Sequence, residues 1–258
     1  METGFDLWRE QRLAELSAAD SWLGLIGLFW LEAGANKVGS ASECAVLLPE
    51  GPACLGVLDW QGERITWQPV GGEAVLLQTD RAGEASRISC GPLAFFVIER
   101  EGRLAVRLRD LAWRGKGTFA GIDCFPFDPG WCLEAEWQGL APPIEVQVQT
   151  MTGAMKTVDV RHRAVFQRAG TTYSLLPLED GEEGVFFVFR DLTAGKETYG
   201  GGRFLRAGPP RDGRILLDFN RAYNPPCAFT PFAACPLPPP ENRLVVSVTA
   251  GERRYDGK

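Results

Sequence analysis

A proline-stiffened segment near the C-terminus, residues 195–244, constrains the chain more than any other stretch. It contains nine prolines, a triple glycine and two cysteines, Cys227 and Cys235, set among bulky rings. Because proline lacks a backbone N–H and fixes φ, much of this segment cannot join a central sheet. Its charged and amide residues alternate with apolar ones, which favours a rigid, half-buried segment. Rigid loops on a scaffold often carry binding or catalytic sites.

Length and composition bound the class of protein. The 258 residues suffice for one large β domain or two smaller ones with a substantial core. The formal net charge of -6 makes nucleic acid a poor partner, since phosphate binding requires a basic surface. No apolar run reaches the roughly 20 residues that span a bilayer, and the N-terminus lacks the pattern of a signal peptide. We expect a cytoplasmic protein without a nucleic-acid or membrane partner, and its oligomeric state is left open.

The chain has seven cysteines but one histidine, His162. Without a secretion signal the cysteines are expected to be reduced thiols. There is no C-x-x-C pair and no H-E-x-x-H motif, so finger-type zinc sites and two-histidine metal centres lack their ligands. We therefore predict no metal and no cofactor. Proline and alanine flank Cys227 and Cys235, which favours buried, inert thiols; a disulfide or a thiol metal site is the alternative for this pair.

Hydrophobic periodicity predicts a mainly β protein with one short helix. Residues 1–20 include apolar side chains at helical spacing, which indicates an amphipathic N-terminal helix. Short strands with turn signals follow over residues 21–114, as is typical of a sandwich, and Glu101–Gly102 is the turn of a hairpin. Residues 115–258 are predicted to form a barrel or a strongly curved sheet, with another hairpin turn near Ala169–Gly170.

The first half resembles the forkhead-associated sandwich in the order of an apolar strand, Gly34, the turn at residues 38–40 and a second apolar strand. In that family a similar turn carries an arginine that holds phosphothreonine. Ser40 stands at the corresponding position here, and the histidine-bearing and Asn-Gly loops of that family are missing. The resemblance therefore implies a shape for this half of the chain and does not imply phosphopeptide binding.

Charged and amide residues concentrate where the proline-rich segment begins. The triple glycine at residues 200–202 permits close approach of the backbone to a ligand. Lys196 and Arg203 flank it, and such cations bind carboxylate and phosphate oxygens. Further along, Asp218 and Asn220 are predicted to share one face of a strand, with Tyr223 and Asn224 close by. If these groups are buried, they must be hydrogen-bonded either to each other or to a ligand.

The leading hypothesis is a pocket for a small polar or anionic molecule, lined by residues 190–243. The alternatives are a hydrolase, with Glu197 or Asp218 as general base and Arg203 stabilising developing negative charge, and a structural or interaction module in which the polar groups only fix the fold. The sequence leaves open whether the protein is an enzyme. The predicted ligand-binding residues are Arg190, Lys196, Tyr199, Arg203, Asn220, Tyr223 and Asn224.

Three stretches, TYGGGRFL at 198–205, DFNRAYNPPCAFTPFAACPLPPPENRL at 218–244 and AGERRY at 250–255, closely resemble the signature of a bacterial family catalogued as domain of unknown function 1684. Residues 21–40 and 189–200 also fit it, so the resemblance covers most of the chain. The family has no settled activity or catalytic residues. The resemblance therefore implies that the C-terminal pattern is a family trait, and it implies no reaction.

Overall fold

The structure, a computed structural model, describes residues 2–113 and 119–256. The chain forms two compact units. The N-terminal unit is Ser17–Thr118, and the C-terminal unit is Phe119–Lys258 together with Met1–Leu16. The boundary predicted near residue 115 lies outside the described residues. Strands dominate both units, which confirms the predicted mainly β class.

The N-terminal unit is a sandwich of two sheets, as predicted for the first half. Its strands are β1 (Leu25–Trp30), β2 (Gly34–Gly39), β3 (Val46–Leu47), β4 (Gly56–Gln61), β5 (Arg64–Pro69), β6 (Val75–Leu76), β7 (Arg87–Cys90), β8 (Leu93–Arg100) and β9 (Arg103–Asp110). One sheet has the order β1-β9-β8-β7 and the other has the order β3-β2-β4-β5-β6. Val38 and Leu58 of one sheet and Phe95 and Val106 of the other share a single buried core.

The C-terminal unit combines the helix with two sheets. Its elements are α1 (Glu2–Ser17), β10 (Cys132–Gln149), β11 (Met155–Arg168), β12 (Thr171–Leu175), β13 (Glu179–Gly181), β14 (Gly184–Phe189), β15 (Arg203–Ala207) and β16 (Arg214–Asp218). The sheet orders are β12-β11-β10-β16 and β13-β14-β15. The pairing of β10 with β11 shifts register between Gly139 and Ile144. This unit contains a sheet that curls into a half-barrel, which confirms the curved sheet predicted for the second half of the chain.

Tight turns with a glycine in the second position close several hairpins. Glu101–Gly102 has φ angles of 48° and 73°, and Ala169–Gly170 has 49° and 78°. These left-handed values match the right-handed twist of the flanking strands. Both hairpins are where the sequence predicts them. Asp212–Gly213, between β15 and β16, has φ angles of 50° and 71° and repeats the arrangement.

The helix α1 is the predicted amphipathic helix. Phe5 and Leu16 on its apolar face are buried. It packs in the C-terminal unit although it opens the chain. Among the described residues, no helix has the length and apolar character needed to cross a membrane.

Aromatic rings fill the core of the C-terminal unit. Phe219 packs edge-on against Trp131, with ring centroids 5.7 Å apart, and against Phe189 at 5.4 Å. Leu217 of β16 and Phe219 of the 3₁₀ turn that follows it are both fully buried in this core. Phe187 lies in the same core. Since edge-to-face ring pairs add to the free energy of area burial, this cluster anchors the end of β16.

The proline-rich segment runs mainly without strands, as the missing N–H groups require. Short 3₁₀ turns occupy residues 219–221, 226–228 and 240–242. Its backbone lies on the end of the β10–β11 hairpin: Leu237 N–H donates to the carbonyl of Gln149 at 2.8 Å. Outside β15 and β16, which pair in continuous ladders, the segment is therefore fixed to the sheet by single hydrogen bonds.

Replacing Phe187 with alanine tests the aromatic core. We expect Phe187→Ala to lower the free energy of unfolding by about 3–5 kcal/mol, because it leaves a cavity in a closely packed cluster. Urea unfolding followed by tryptophan fluorescence measures the change. The matched control is Val245→Ala, since Val245 is 78% exposed; it is expected to change stability by less than about 0.5 kcal/mol. Similar losses in the two variants would contradict the assignment of this core.

Candidate functional site

Arg203, the first residue of β15, is buried and tied to the end of the chain. Its Nη2 donates to Asp191 Oδ2 at 2.7 Å and to the carbonyl of Val248 at 2.8 Å. Its Nη1 donates to the carbonyls of Ala250 and Glu252. Burial lowers the pKa of Arg203, and the adjacent Asp191 carboxylate opposes that shift. The structure gives Arg203 a cross-linking role, and its predicted contact with a ligand stays a prediction.

Asp191 extends this network into the next turn. Its Oδ1 accepts a hydrogen bond from the Thr193 backbone N–H at 2.6 Å and another from the Thr193 hydroxyl. The hydroxyls of Thr193 and Thr198 share a hydrogen bond of 2.8 Å. All of these side chains are buried. The turn that leads into the triple glycine is therefore held by the same network that holds Arg203.

Close packing explains why glycine stands at positions 201 and 202 of the triple run. Gly202 has a φ of +92°, and a Cβ there would lie 2.5 Å from the carbonyl oxygen of Phe189 and 2.6 Å from Pro238. A Cβ on Gly201 would lie 2.5 Å from the ring of Tyr199. The close backbone approach predicted for this run is thus made with the protein itself.

The other charged residues of the first cluster lie at the surface. Arg190, Lys196 and Glu197 are exposed, in contrast to Arg203. The carboxylate of Glu197 lies 3.8 Å from the guanidinium of Arg253, and each side chain is nearly half exposed. The predicted cluster therefore divides into a surface set and a buried set. The predicted binding or catalytic roles of the surface set stay predictions.

Asp218 and Asn220 come together through a cap and not, as predicted, on one face of a strand, because β16 ends at Asp218 and Asn220 lies in the 3₁₀ turn that follows. Asp218 Oδ1 accepts hydrogen bonds from the backbone N–H of Asn220 at 3.2 Å and from its side-chain amide at 3.0 Å. Asn220 is fully buried. Its Oδ1 accepts a hydrogen bond from the backbone N–H of Asp128, and its Nδ2 donates to the carbonyl of Asp128, each at 3.0 Å. Asp218 Oδ2 lies 3.2 Å from Arg221 Nε. These bonds fix the loop before β10 to the end of β16.

Tyr223 and Asn224 belong to a different group, built around Arg12 of α1. The Arg12 guanidinium donates to Glu252 Oε1 at 2.9 Å and to the carbonyl of Asn224 at 3.0 Å. It also lies 4.9 Å from the centre of the Tyr223 ring. Glu252 Oε2 accepts a hydrogen bond from the Asn224 backbone N–H at 2.6 Å. The four polar residues predicted to converge are thus in two separate groups.

The side chain of Asn224 is fully buried but only partly bonded. Its Nδ2 donates to the carbonyl of Arg253 at 2.7 Å. Its Oδ1 has no donor among the residues that the structure describes. An unpaired buried acceptor costs roughly 1–3 kcal/mol, so the other bonds of Asn224 must offset that cost.

We did not single out Arg12 or Glu252 from the sequence. A signal was present for Arg12, because it stands at helical spacing with Phe5, Trp8 and Leu16 on the apolar side of α1. A charged residue in that position must find a partner when the helix packs. The sequence near Glu252 offers no such signal, since its partner lies 240 positions away.

An open groove lies where β15 and β16 leave their separate sheets. We call it the arginine groove; its volume is about 800 Å³. Leu216, on the solvent side of β16, forms part of its floor. The charged residues on its walls are Arg206, Arg211, Arg214, Arg221, Glu134, Asp212 and Asp218.

Two of these arginines flank the Asp212–Gly213 turn in the connection between β15 and β16. Arg211 and Arg214 are bonded to each other through both backbone N–H groups, at 2.8 Å. Within the described part of the chain, neither guanidinium has a carboxylate within 4.0 Å. Glu136 stands opposite Arg214 in the register of β10 and β16, but beyond that distance.

The other two arginines are held in place. Arg221 pairs with Asp218, as described above. Arg206 lies over the Phe186 ring, with its guanidinium carbon 4.6 Å from the ring centre. Burial raises the pKa of Tyr223, and the Arg206 guanidinium partly offsets that shift.

No group of three or more His, Cys, Asp and Glu side chains within residues 2–113 and 119–256 is arranged to hold a metal ion. Cys132 lies beside Asp218 in the groove, and burial raises the pKa of its thiol. What the groove offers is a set of guanidinium donors with an apolar floor. Such a set suits carboxylate or phosphate oxygens.

Fold and site together define a class: a mainly β protein whose C-terminal unit is cross-linked by a buried Arg–Asp pair and carries an open arginine-lined groove. The model of a family described as "Protein of unknown function (DUF1684)" matches residues 117–253. The chain belongs to this family, as its C-terminal motifs indicated.

One solved structure is similar to part of this chain. It is the solution NMR structure of an uncharacterized protein from Haloarcula marismortui, which is 35% identical to this chain. The match covers 54% of this chain and 78% of the relative, with a TM-score of 0.44. No curated protein matches the chain.

Breaking the buried pair tests the role given to Arg203. We expect Asp191→Asn to lower the free energy of unfolding by about 3–5 kcal/mol, because it leaves a buried guanidinium without its counter-charge. Chemical denaturation measures the loss. The control is Asp256→Asn, which breaks an exposed pair with Arg254 and is expected to cost less than about 1 kcal/mol.

A double variant, Asp191→Leu with Arg203→Met, separates the cost of the unpaired charge from the cost of the lost hydrogen bonds. If the cost of Asp191→Asn comes from the unpaired charge, the apolar double variant is expected to be more stable than the single one. A double variant that is less stable than Asp191→Asn would show that the hydrogen bonds to the chain end matter more than the charge.

Proposed function

We propose that this protein binds a small anionic molecule in the arginine groove. The observation that carries the proposal is the pair Arg211 and Arg214, which stand opposite each other in a backbone bridge across the Asp212–Gly213 turn. Like charges directly opposite on neighbouring strands repel. Neither has a carboxylate within 4.0 Å among the described residues. An anion between the two guanidiniums would replace their repulsion with charge-assisted hydrogen bonds.

The remaining arginines support the same proposal because they are already positioned. Arg206 packs over the Phe186 ring, and Arg221 pairs with Asp218. Side chains ordered before binding lose less conformational entropy when a ligand arrives. Arg206 and Arg221 would therefore frame the ligand, while Arg211 and Arg214 would close on it.

The dimensions and lining of the groove indicate the class of ligand. Its volume of about 800 Å³ lies within the range of small-molecule sites. Leu216 is well exposed on its floor and would pack against an apolar part of the ligand. A metabolite-sized carboxylate or phosphate compound with a short apolar body would satisfy both features.

This proposal keeps the ligand class expected from the sequence and changes the residues. Arg203 is replaced by Arg206, Arg211, Arg214 and Arg221. Asp218 lies in the groove, but its carboxylate already contacts Asn220 and Arg221. Those contacts suit a residue that positions Arg221, and we do not assign Asp218 as a general base.

The test measures binding of two probe anions, pyrophosphate and citrate, by isothermal titration calorimetry at low ionic strength. Arg211→Gln with Arg214→Gln is expected to weaken binding at least about tenfold, because each charge-assisted hydrogen bond lost costs more than 1 kcal/mol. The matched control is Arg161→Gln with Arg163→Gln, which changes the net charge equally on exposed positions of β11. The control is expected to bind as the wild type does.

Two outcomes would contradict the proposal. Equal weakening in both double variants would indicate general attraction to positive charge and no built site. The second outcome is that the wild type binds neither probe to saturation and that no carboxylate or phosphate metabolite of a panel raises its thermal stability. That result would reject an anionic ligand.

A further inference from the structure

Two cysteines of the proline-rich segment meet in the structure although they are eight positions apart. The backbone N–H of Cys227 donates to Cys235 Sγ at 3.2 Å. The sulfur of Cys235 therefore lies within hydrogen-bonding distance of the Cys227 backbone, and the two residues are not joined by a disulfide.

The backbone holds both residues in place. Cys227 sits in the 3₁₀ turn 226–228, which begins at a proline with fixed φ. The carbonyl of Cys235 accepts a hydrogen bond from the N–H of Met151 at 2.9 Å, in the turn that ends the β10–β11 hairpin. Pro236 follows and pairs with Thr150. The backbone contacts therefore make the proximity of Cys227 and Cys235 a property of the fold.

The surroundings give the two thiols different chemical roles. Cys227 is partly exposed, whereas Cys235 is buried. The hydrogen bond with the Cys235 thiol lowers the pKa of Cys227, burial opposes that shift, and Tyr199 adds to it. The Tyr199 hydroxyl donates to the carbonyl of Cys227 at 3.2 Å, and burial raises its own pKa, so it remains a protonated donor beside the thiol. Cys227 is thus suited to attack an oxidant, and Cys235 to resolve the product.

We propose that Cys227 and Cys235 form a reversible disulfide when a peroxide reaches the protein. The Cys227 thiolate attacks one oxygen of the peroxide, the O–O bond breaks, and the second oxygen leaves as water or an alcohol. The resulting sulfenic acid is attacked by the Cys235 sulfur, which loses its proton while the hydroxyl departs as water. The two thiols together give up two electrons and two protons, and the peroxide accepts both.

Other thiols of the C-terminal unit are in less reactive settings. Burial, with the nearby Glu252 carboxylate, raises the pKa of Cys124 to about 11. Burial also raises the pKa of Cys132. A thiol that stays protonated at neutral pH is a poor nucleophile. Oxidation is therefore expected at Cys227 before it occurs at Cys124 or Cys132.

The experiment treats the full-length protein with hydrogen peroxide in slight excess and follows it by mass spectrometry. The wild type is expected to lose the mass of two hydrogens, to regain it with dithiothreitol, and to yield one cross-linked peptide pair that joins Cys227 to Cys235. This measurement needs no variant, so it stands even if a substitution disturbs folding.

Two variants test which cysteine attacks the peroxide and which one forms the disulfide with the resulting sulfenic acid. Cys235→Ser is expected to leave a sulfenic acid on Cys227 that a dione probe labels, whereas Cys227→Ser is expected to give neither the label nor the disulfide. The control Cys54→Ser replaces an exposed thiol of the N-terminal unit and is expected to oxidise as the wild type does. A wild type that keeps all its thiols, or that links Cys227 to another cysteine, would overturn the proposal, as would labelling that is the same with and without Cys227.

Discussion

The buried ion pair of Arg203 and Asp191 is the contact on which the C-terminal unit depends. Removing two charges from water costs several kcal/mol for each ion, and close pairing alone seldom recovers that cost. Here carbonyl groups near the chain end and the Thr193 N–H satisfy the remaining donors and acceptors. Since a buried charge tolerates few arrangements of its partners, the pair fixes where β15, the glycine-rich turn and the end of the chain lie relative to one another.

The same constraint reaches the beginning of the chain through Glu252. The backbone carbonyl of Glu252 accepts a hydrogen bond from Arg203, and its carboxylate accepts one from Arg12. The helix α1 is thereby bonded to a residue 240 positions away. This pairing gives a physical reason why the first helix belongs to the unit formed by the second half of the chain.

Membership of the DUF1684 family brings no reaction with it, so any assignment of function must come from the site itself. Two features of the C-terminal unit are available for chemistry: Arg211 and Arg214, which have no carboxylate within 4.0 Å among the described residues, and the neighbouring cysteines Cys227 and Cys235. Both lie in or beside the segment that carries the family motif. The prolines restrict the backbone of the parts of this segment outside β15 and β16, and a binding or redox site requires such a rigid backbone.

The two arginines of β15, one buried and one exposed, illustrate a limit of sequence-based prediction. In the strand sequence Arg-Phe-Leu-Arg-Ala, either Arg203 or Arg206 could face the core, because shifting the strand by one residue exchanges its two faces. The structure buries Arg203 and exposes Arg206. Only the pairing of β15 with β14 and the carbonyls supplied by the chain end decide between them.

The sequence by itself determined the features that depend on neighbouring residues. The Glu101–Gly102 and Ala169–Gly170 turns and the helix α1 follow from local backbone preferences and periodicity. The tertiary structure alone decided which polar groups meet, since the partners of Arg12 and Arg203 are distant in sequence. A turn is a property of adjacent dihedral angles, whereas a buried charge is paired by whatever the packing of remote elements brings within hydrogen-bonding distance.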